Sequence, residues 1–314
     1  MTGNRKESRR HHYLPRCYLR GFSGSDIGDD QVLCVDIHQR RQFITSTQNI
    51  AQERDFLRIE LEGIAPDALE SAMSRFESQL GPVLARLAET GRRPAGEDFV
   101  ILLNLMALVA VRNPKTRETL KQSQQEVIRQ VLSLIVKTPE RYEAMKKRYI
   151  DSGVDESKAP SYKDVREFVD GKLYQIDVPR TNLIRIELGV MDGLLHALVG
   201  RSWRFVRTTQ ASGPFISGDH PVVLDWTKGG ERPALSPGYG LSGTTVTFPL
   251  SKNCALVGSF DGVDMDAESS RRTVAMINGQ TLRGCKQRVF SPSAHFFYAD
   301  PFGNVVEGRR LWER

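Results

Sequence analysis

Two adjacent histidines near the start of the chain are the first candidates for catalytic residues. His11 and His12 stand in the stretch RRHHYLPRCYLRGF, residues 9–22. Adjacent residues of an extended chain point to opposite sides, so we expect only one of them to face a site. An imidazole transfers protons near neutral pH because its ordinary pKa is about 6.5. The pattern predicts a general acid or base here. The alternative is a histidine that caps a packing cluster.

A second candidate site lies where a predicted strand ends. The letters PFI run directly into SGDHP, residues 217–221. A carboxylate at a strand end can hold a metal, a water or a cation, which makes Asp219 a candidate catalytic residue and metal ligand. His220 is a second candidate ligand. The same letters also fit an Asx-turn, in which the aspartate only accepts hydrogen bonds from nearby backbone amides.

Further candidates lie on predicted helices. Glu70 and Glu77, two candidate metal ligands, are two helical turns apart on one stripe, and Arg112 ends an apolar helix. A buried arginine needs an acid, and Asp219 or either glutamate could serve. Asn278, in AMINGQT, completes the set. Each of these residues could instead have an ordinary structural role. The glutamates could be solvated acids, Arg112 could belong to a structural ion pair, and Asn278 could be a turn residue.

The elements that must position these residues change along the chain from helical to extended. Hydrophobic residues spaced three and four apart predict a helix over 67–90, bent or broken at Pro82, and a fully enclosed helix over 96–111. Two strands precede them, at 31–37 and 41–47. The later elements predicted are surface helices within 115–149, helices over 162–174, 180–200 and 265–282, and strands over 201–209, 214–226, 243–251, 253–260, 286–293 and 295–300.

This order predicts an α+β fold, in which a mostly helical first two-thirds packs on a largely antiparallel sheet. We expect one domain over residues 1–314. The linker-like composition of 151–164 indicates a sub-boundary there. It would separate a small N-terminal sheet with helices (1–150) from helices followed by a sheet (165–314).

Composition narrows the class of protein. A hydrophobic content of 39% and a charged content of 26% are ordinary for a globular protein, and the formal net charge is +6. The basic residues crowd the start of the chain, which predicts a nucleic-acid partner or a solvated tail. The scattered cysteines and the lack of a long apolar run predict a cytoplasmic protein with no membrane segment. The sequence does not determine the oligomeric state. The basic residues at the start are Arg5, Lys6, Arg9, Arg10, Arg16 and Arg20.

Several common catalytic motifs are missing. The sequence has no G-x-x-x-x-G-K-S/T loop, no G-x-G-x-x-G after a strand, no H-E-x-x-H and no G-x-S-x-G. This argues against phosphate-loop nucleotide hydrolysis, Rossmann redox chemistry, zincin proteolysis and standard α/β-hydrolase chemistry.

Taken together, the motifs resemble the domain-of-unknown-function family 4238. Its members share an opening His-Tyr-x-Pro-x-x-Tyr-Leu-x-x-Phe, a central acidic helix, an Arg-x-Pro helix end and a Ser-Asp-Asn-Pro turn. The matching stretches here are HHYLPRCYLRGF, NIAQERDF and SGDHPVV. The resemblance aligns His12, Asp219 and Pro221 with the family pattern, whereas Gly218 and His220 depart from it. It implies a shared fold and a shared site, but no reaction.

The leading functional hypothesis is a divalent-metal-dependent phosphodiesterase or nuclease, of a toxin-like or defence-associated kind. Asp219 and Glu77 would hold Mg²⁺ or Mn²⁺, and His12 would transfer the proton. Arg112 would stabilise the phosphate in the transition state. The first alternative is a non-catalytic RNA- or DNA-binding module, with the N-terminal arginines on the backbone and Tyr13, Tyr18 or Phe22 stacking on bases. The second is a purely structural polar network.

Overall fold

The computed structural model describes residues 9–24, 27–227 and 236–313. The chain divides into two compact units. Unit 1 comprises Met1–Thr116 and Ile184–Arg314, and unit 2 comprises Arg117–Leu183. The sub-boundary predicted near 151–164 lies inside unit 2. Of the basic N-terminal residues, Arg5 and Lys6 lie outside the described residues.

The described part of the chain forms an α+β fold, as the sequence predicts. The helices are α1 (Arg16–Arg20), α2 (Ala68–Thr90), α3 (Gly96–Val111), α4 (Pro114–Ile135), α5 (Pro139–Asp151), α6 (Tyr162–Asp170), α7 (Arg180–Gly189), α8 (Met191–Val199) and α9 (Arg271–Gly284). The strands are β1 (Arg10–His12), β2 (Gln31–Asp36), β3 (Arg41–Ser46), β4 (Gln52–Arg54), β5 (Ser202–Arg207), β6 (Ser217–Gly218), β7 (Val223–Trp226), β8 (Thr244–Ser251), β9 (Cys254–Ser259), β10 (Met265–Glu268), β11 (Arg288–Ser291), β12 (Phe297–Ala299) and β13 (Val305–Glu307).

The strands of unit 1 form two larger sheets and two ribbons. The five-stranded sheet has the order β10-β5-β9-β8-β7, and the four-stranded sheet has the order β3-β2-β11-β6. The ribbons are β1-β4 and β12-β13. All described pairings are antiparallel except that of β10 with β5. The sheets therefore join strands from both ends of the sequence, since β2 (Gln31–Asp36) pairs with β11 (Arg288–Ser291).

Several predicted elements have different bounds in the structure. The helix predicted over 265–282 begins at Arg271, because Met265–Glu268 pairs with β5 and the Ser270 hydroxyl accepts from Thr273 N–H to cap the helix. The helix predicted over 180–200 is two helices, α7 and α8. The strand predicted over 214–226 is two short strands on either side of Pro221. By contrast, α2 continues through Pro82, which lies inside one helix.

The leading segment is part of the core of unit 1. Leu14, Tyr18, Leu19 and Phe22 are fully buried. The Tyr18 ring stacks on Phe248, with ring centroids 5.3 Å apart, and its hydroxyl donates to the Pro249 carbonyl at 2.8 Å. This hydroxyl also lies 2.9 Å from Ser217 Oγ. The short N-terminal segment is therefore held in place by residues of the last third of the chain.

The enclosed character predicted for α3 is confirmed. Every residue from Leu105 to Val111 is buried, as expected of a helix that is apolar on nearly every side. Within the described ranges, no single helix is long and apolar enough to cross a membrane; the bent pair α3 and α4 passes that test only when its two helices are taken together.

Candidate functional site

The two histidines of the opening motif point to opposite sides of β1, as predicted for an extended chain. His11 is buried, its Nδ1 accepts from Leu57 N–H at 2.9 Å, and its Nε2 lies 3.3 Å from Glu70 Oε2. Its ring therefore ties β1 to the chain after β4 and to the start of α2. His11 and Glu70, both predicted site residues, engage each other in a structural contact.

His12 is half-buried on the other side of the strand. Its Nδ1 is buried and has no hydrogen-bond partner among the described residues. Burial lowers the pKa of the imidazole, the Arg16 charge lowers it further, and a backbone hydrogen bond at Ile50 opposes both. His12 is thus a neutral imidazole at neutral pH.

Arg112 lies next to His12 and Glu77. The Arg112 side chain is buried, and its Nη1 donates to the His12 carbonyl in a long hydrogen bond of 3.5 Å. Burial raises the pKa of Glu77, and the charge of Arg112 opposes that shift. The Glu77 carboxylate has no ion pair or hydrogen bond with any described residue. We call these three residues, from β1, α2 and the end of α3, the His12 site.

Cys17 lies beside Glu77 but is not a nucleophile at neutral pH. Burial raises the pKa of its thiol to about 11, and the Glu77 charge adds to the shift. The thiolate, which is the reactive form, is therefore nearly absent near pH 7.

The ribbon that carries His12 presents an arginine-rich face. Residues opposite each other in an antiparallel pair share a face, and so do residues two apart along a strand. Arg10 is opposite Arg54, and His12 is opposite Gln52, so all four belong to the same face. We call Arg10, Gln52 and Arg54 the arginine face. They line a cavity of about 550 Å³, together with Arg9, Asn49 and Glu53.

The direct opposition of two arginines is unusual, because like charges at cross-strand positions destabilise a sheet. Both Arg10 and Arg54 are exposed, and the Arg54 side chain retains 70% of its accessible surface. The Asp55 carboxylate partly compensates these charges, since it pairs with Arg9 at 2.5 Å and lies 3.7 Å from Arg54.

Asp219 has a different environment. Its carboxylate accepts three backbone N–H groups, from Lys286 at 2.6 Å, Gln287 at 2.7 Å and Arg288 at 2.9 Å. Burial raises the pKa of Asp219, whereas these amides and the charge of Lys115 lower it. The carboxylate fixes the chain entering β11, a strand distant in sequence, and so the contact is not a local Asx-turn.

Gly218 and His220 are the two departures from the family pattern in this turn, which we call the Asp219 turn (Ser217–Pro221). A Cβ at position 218 would lie 3.0 Å from Cys285 Cβ, so the close approach of β6 to the end of α9 favours glycine. Burial lowers the pKa of His220 to about 4, and the nearby Lys115 charge contributes. His220 is therefore neutral over most of the accessible pH range.

Asn278 is also fully used by the fold. Its Oδ1 accepts from Ile216 N–H at 3.0 Å, and its Nδ2 donates to the carbonyls of Pro214 at 3.0 Å and Phe297 at 2.7 Å. These three bonds tie α9 to the segments before β6 and at β12. The amide has a structural role, because it has no remaining strong donor or acceptor directed to a substrate.

The predicted metal ligands do not gather in one place. Glu70 contacts His11, Glu77 faces Arg112, and the carboxylate of Asp219 is engaged by amides. Within the part of the chain that the structure describes, no three His, Cys, Asp or Glu side chains are grouped so that they could hold a metal ion. These residues therefore do not fit a Mg²⁺ or Mn²⁺ centre, and the metal stays a prediction.

The aromatic stacking surface predicted for a nucleic-acid-binding module is wrong. Tyr18 and Phe22 have no accessible surface, and Tyr13 retains 8%. A base cannot stack on a ring enclosed in the core. Sequence reasoning also missed Gln52, Arg54 and Lys115; the first two stand in NIAQERDF, a stretch that carried the family resemblance but received no role.

Comparison with known proteins places the chain in a family. The profile described as "Protein of unknown function (DUF4238)" matches residues 10–295. The chain belongs to the DUF4238 family. This DUF4238 chain has no significant match among curated proteins or among solved structures. The matched range covers the His12 site, the arginine face and the Asp219 turn.

Proposed function

We propose that this DUF4238 protein is a phosphodiesterase that cleaves nucleic acid, with His12 and Glu77 as its proton-transfer groups. One observation carries the proposal. His12 shares a ribbon face with the opposed pair Arg10 and Arg54, and its carbonyl is bound by Arg112, which also faces Glu77. Cationic groups for phosphates and groups for proton transfer therefore occupy neighbouring positions.

The acid–base assignment follows from the pKa shifts. Burial lowers the pKa of His12 and raises that of Glu77, so the two values move towards each other. A neutral imidazole and a protonated carboxyl can then coexist at mildly acidic pH. Titratable groups whose pKa values are shifted by their environments are typical of general acid–base catalysis.

In the proposed hydrolysis His12 acts as the base. Its imidazole accepts a proton from the attacking water as the new P–O bond forms. The Glu77 carboxyl gives its proton to the leaving oxygen as the other P–O bond breaks. Arg112 stabilises the negative charge that builds up on the phosphate oxygens, since a fixed cation is most effective in a water-poor site. No step uses Mg²⁺ or Mn²⁺.

A non-catalytic nucleic-acid-binding module is the second candidate. The opposed arginines Arg10 and Arg54 favour it, because phosphate contacts by arginine supply sequence-independent affinity. Such a module would use the arginine face alone and would leave His12 and Glu77 without a role.

The test is cleavage of labelled RNA and DNA by the full chain, with EDTA or with Mn²⁺ added. We expect His12→Gln to lower the cleavage rate about 10²- to 10⁴-fold, as for other general bases. The control His295→Gln removes an exposed histidine and should leave the rate unchanged. Equal rates for the wild type and His12→Gln would overturn the proposal. Loss of cleavage with EDTA would instead favour the predicted metal.

The second candidate gives a separate result. In that case the wild type binds nucleic acid without cleaving it, and binding weakens as salt rises. The double variant Arg10→Gln with Arg54→Gln should abolish this binding, whereas His12→Gln should retain it.

A further inference from the structure

A separate groove lies in unit 1, lined by none of the residues of the His12 site. It has a volume of about 660 Å³ and is lined by the ends of α1, α2 and β5 and by the turn between β8 and β9. An adjoining cavity of about 300 Å³ shares Arg20, Leu87 and Ser251 with it. Pockets for small organic ligands have about this size, roughly 300–1,000 Å³.

The groove is cationic. Its lining includes Arg20, Arg207 and Lys252 and contains no acidic residue. Arg20 shares its acid, Asp30, with Arg16. The Lys252 Nζ donates to the neutral Ser23 carbonyl at 2.8 Å and makes no salt bridge with any residue of the described ranges. We call this cavity the Arg207 groove.

Arg207 is the residue that points most directly to a ligand. It is half-buried at the end of β5, and its Nε is buried with no hydrogen-bond partner. Across the described ranges, its guanidinium makes no salt bridge. Burial of an arginine without a counter-ion is costly, and an anion bound in the groove would compensate it.

The remaining lining indicates a ligand with an organic body. Thr208, Thr209 and Asn253 offer neutral polar groups, and Leu87 and Pro214 form apolar wall. The backbone of the groove is tied by hydrogen bonds. Thr208 N–H donates to the Asn253 carbonyl at 2.9 Å, and Lys252 N–H donates to the Gly21 carbonyl at 2.8 Å. A preformed wall of this kind lowers the cost of ordering on binding.

We propose that the Arg207 groove binds a small organic phosphate of nucleotide size, with Arg207 and Lys252 on the phosphate. Two cations without acidic partners match a phosphate group, which carries nearly two negative charges, better than a single carboxylate. Arginine binds phosphate through two parallel N–H groups. The apolar wall contacts the organic part. This site is independent of the proposed cleavage at His12.

Calorimetric titration of the full chain with the four common nucleoside monophosphates tests the proposal. We expect at least one to bind, and the matching nucleoside and inorganic phosphate to bind at least about tenfold more weakly. Arg207→Gln should weaken binding about tenfold or more, because a charge-assisted hydrogen bond contributes that much. Arg204→Gln, on the same strand but exposed, removes the same charge and should have no effect.

Two further variants keep the result interpretable. Ala88→Trp fills the groove from an exposed position of α2 and should abolish binding without loss of thermal stability. His12→Gln should leave the affinity unchanged, which separates this groove from the His12 site. Absence of binding by all four nucleotides would overturn the proposal, as would equal affinity in the wild type and Arg207→Gln. If inorganic phosphate binds as tightly as a nucleotide, the inference that the ligand has an organic part is wrong.

Discussion

The Asp219 turn and the His12 site contain the same kinds of side chain but use them differently. Asp219 accepts three backbone amides, and nearby Asn278 makes three hydrogen bonds of its own. In the His12 site, the buried His12 Nδ1 has no hydrogen-bond partner among the described residues. A polar group whose hydrogen bonds are used by the fold, as in Asp219 and Asn278, positions the backbone, whereas His12 Nδ1 keeps unused hydrogen-bonding capacity.

The largest effect expected from this contrast is on stability. Asp219→Ala leaves the backbone amides of Lys286, Gln287 and Arg288 without their charged acceptor. A hydrogen bond to a charged group contributes about 1.5–3 kcal/mol, so we expect the free energy of unfolding to fall by about 3 kcal/mol. Denaturant unfolding measures this. Asp261→Ala, which removes an exposed aspartate, is the control and should change little. If Asp219→Ala has normal stability but no longer cleaves nucleic acid, Asp219 has a catalytic rather than a structural role.

Removing the acid of the His12 site should change rate rather than stability. Glu77→Gln keeps the shape of the side chain but cannot donate a proton, so we expect cleavage to slow about 10²-fold or more. Its unfolding midpoint should stay close to that of the wild type. Glu70→Gln, two turns away on α2, is the matched control, because Glu70 contacts His11. Similar losses of cleavage rate in both variants would show that the two glutamates support the fold rather than the reaction.

His220 supplies a pH-dependent test within the Asp219 turn. The unfolded chain protonates this histidine below its ordinary pKa of 6.5, and the folded chain only near a pKa of about 4. The unfolded state therefore binds more protons between these values, and stability falls as pH falls through that window. We expect His220→Asn to flatten the decline by about 1–3 kcal/mol at pH 4. An unchanged curve of melting temperature against pH would contradict this burial effect.

The smallest expected effect is on the pH profile of cleavage. The pKa of His12 lies below its ordinary 6.5, and that of Glu77 lies above its ordinary 4.5. The base His12 must be neutral, so its deprotonation makes the rate rise with pH. The acid Glu77 must be protonated, so its deprotonation makes the rate fall as pH rises further. We expect an optimum on the acidic side of neutrality, and Glu77→Gln should remove the alkaline limb. If it removes the acidic limb instead, the two roles are exchanged.

Much of the local structure could be predicted from the sequence. Periodic apolar residues indicate α2 and the enclosed α3, and alternation along an extended chain separates His11 from His12. The missed boundaries have local causes. The residues before α9 pair with β5 through contacts distant in sequence, and a cap at Ser270 delays the start of the helix.

The candidate site was harder to predict, because residue type does not reveal which hydrogen bonds are already made. Asp219 and Glu77 are both acids next to apolar elements, and the sequence offers both as metal ligands. Arg54 and Arg207 carry no chemical signature of their own. Arg54 matters because the register of β1 and β4 places it opposite Arg10, and Arg207 because the groove around it contains no acid.

By itself, the sequence determined the fold class, the family and the residue types available for chemistry, since these follow from composition, local periodicity and motif spacing. Tertiary structure alone decided which of those residues already have their hydrogen bonds satisfied by the fold. Strand pairing and burial bring the amides of 286–288 to Asp219 and leave His12 Nδ1 without a partner. The physical reason is that each hydrogen-bonding group has a fixed capacity, and only the folded chain shows which groups it satisfies.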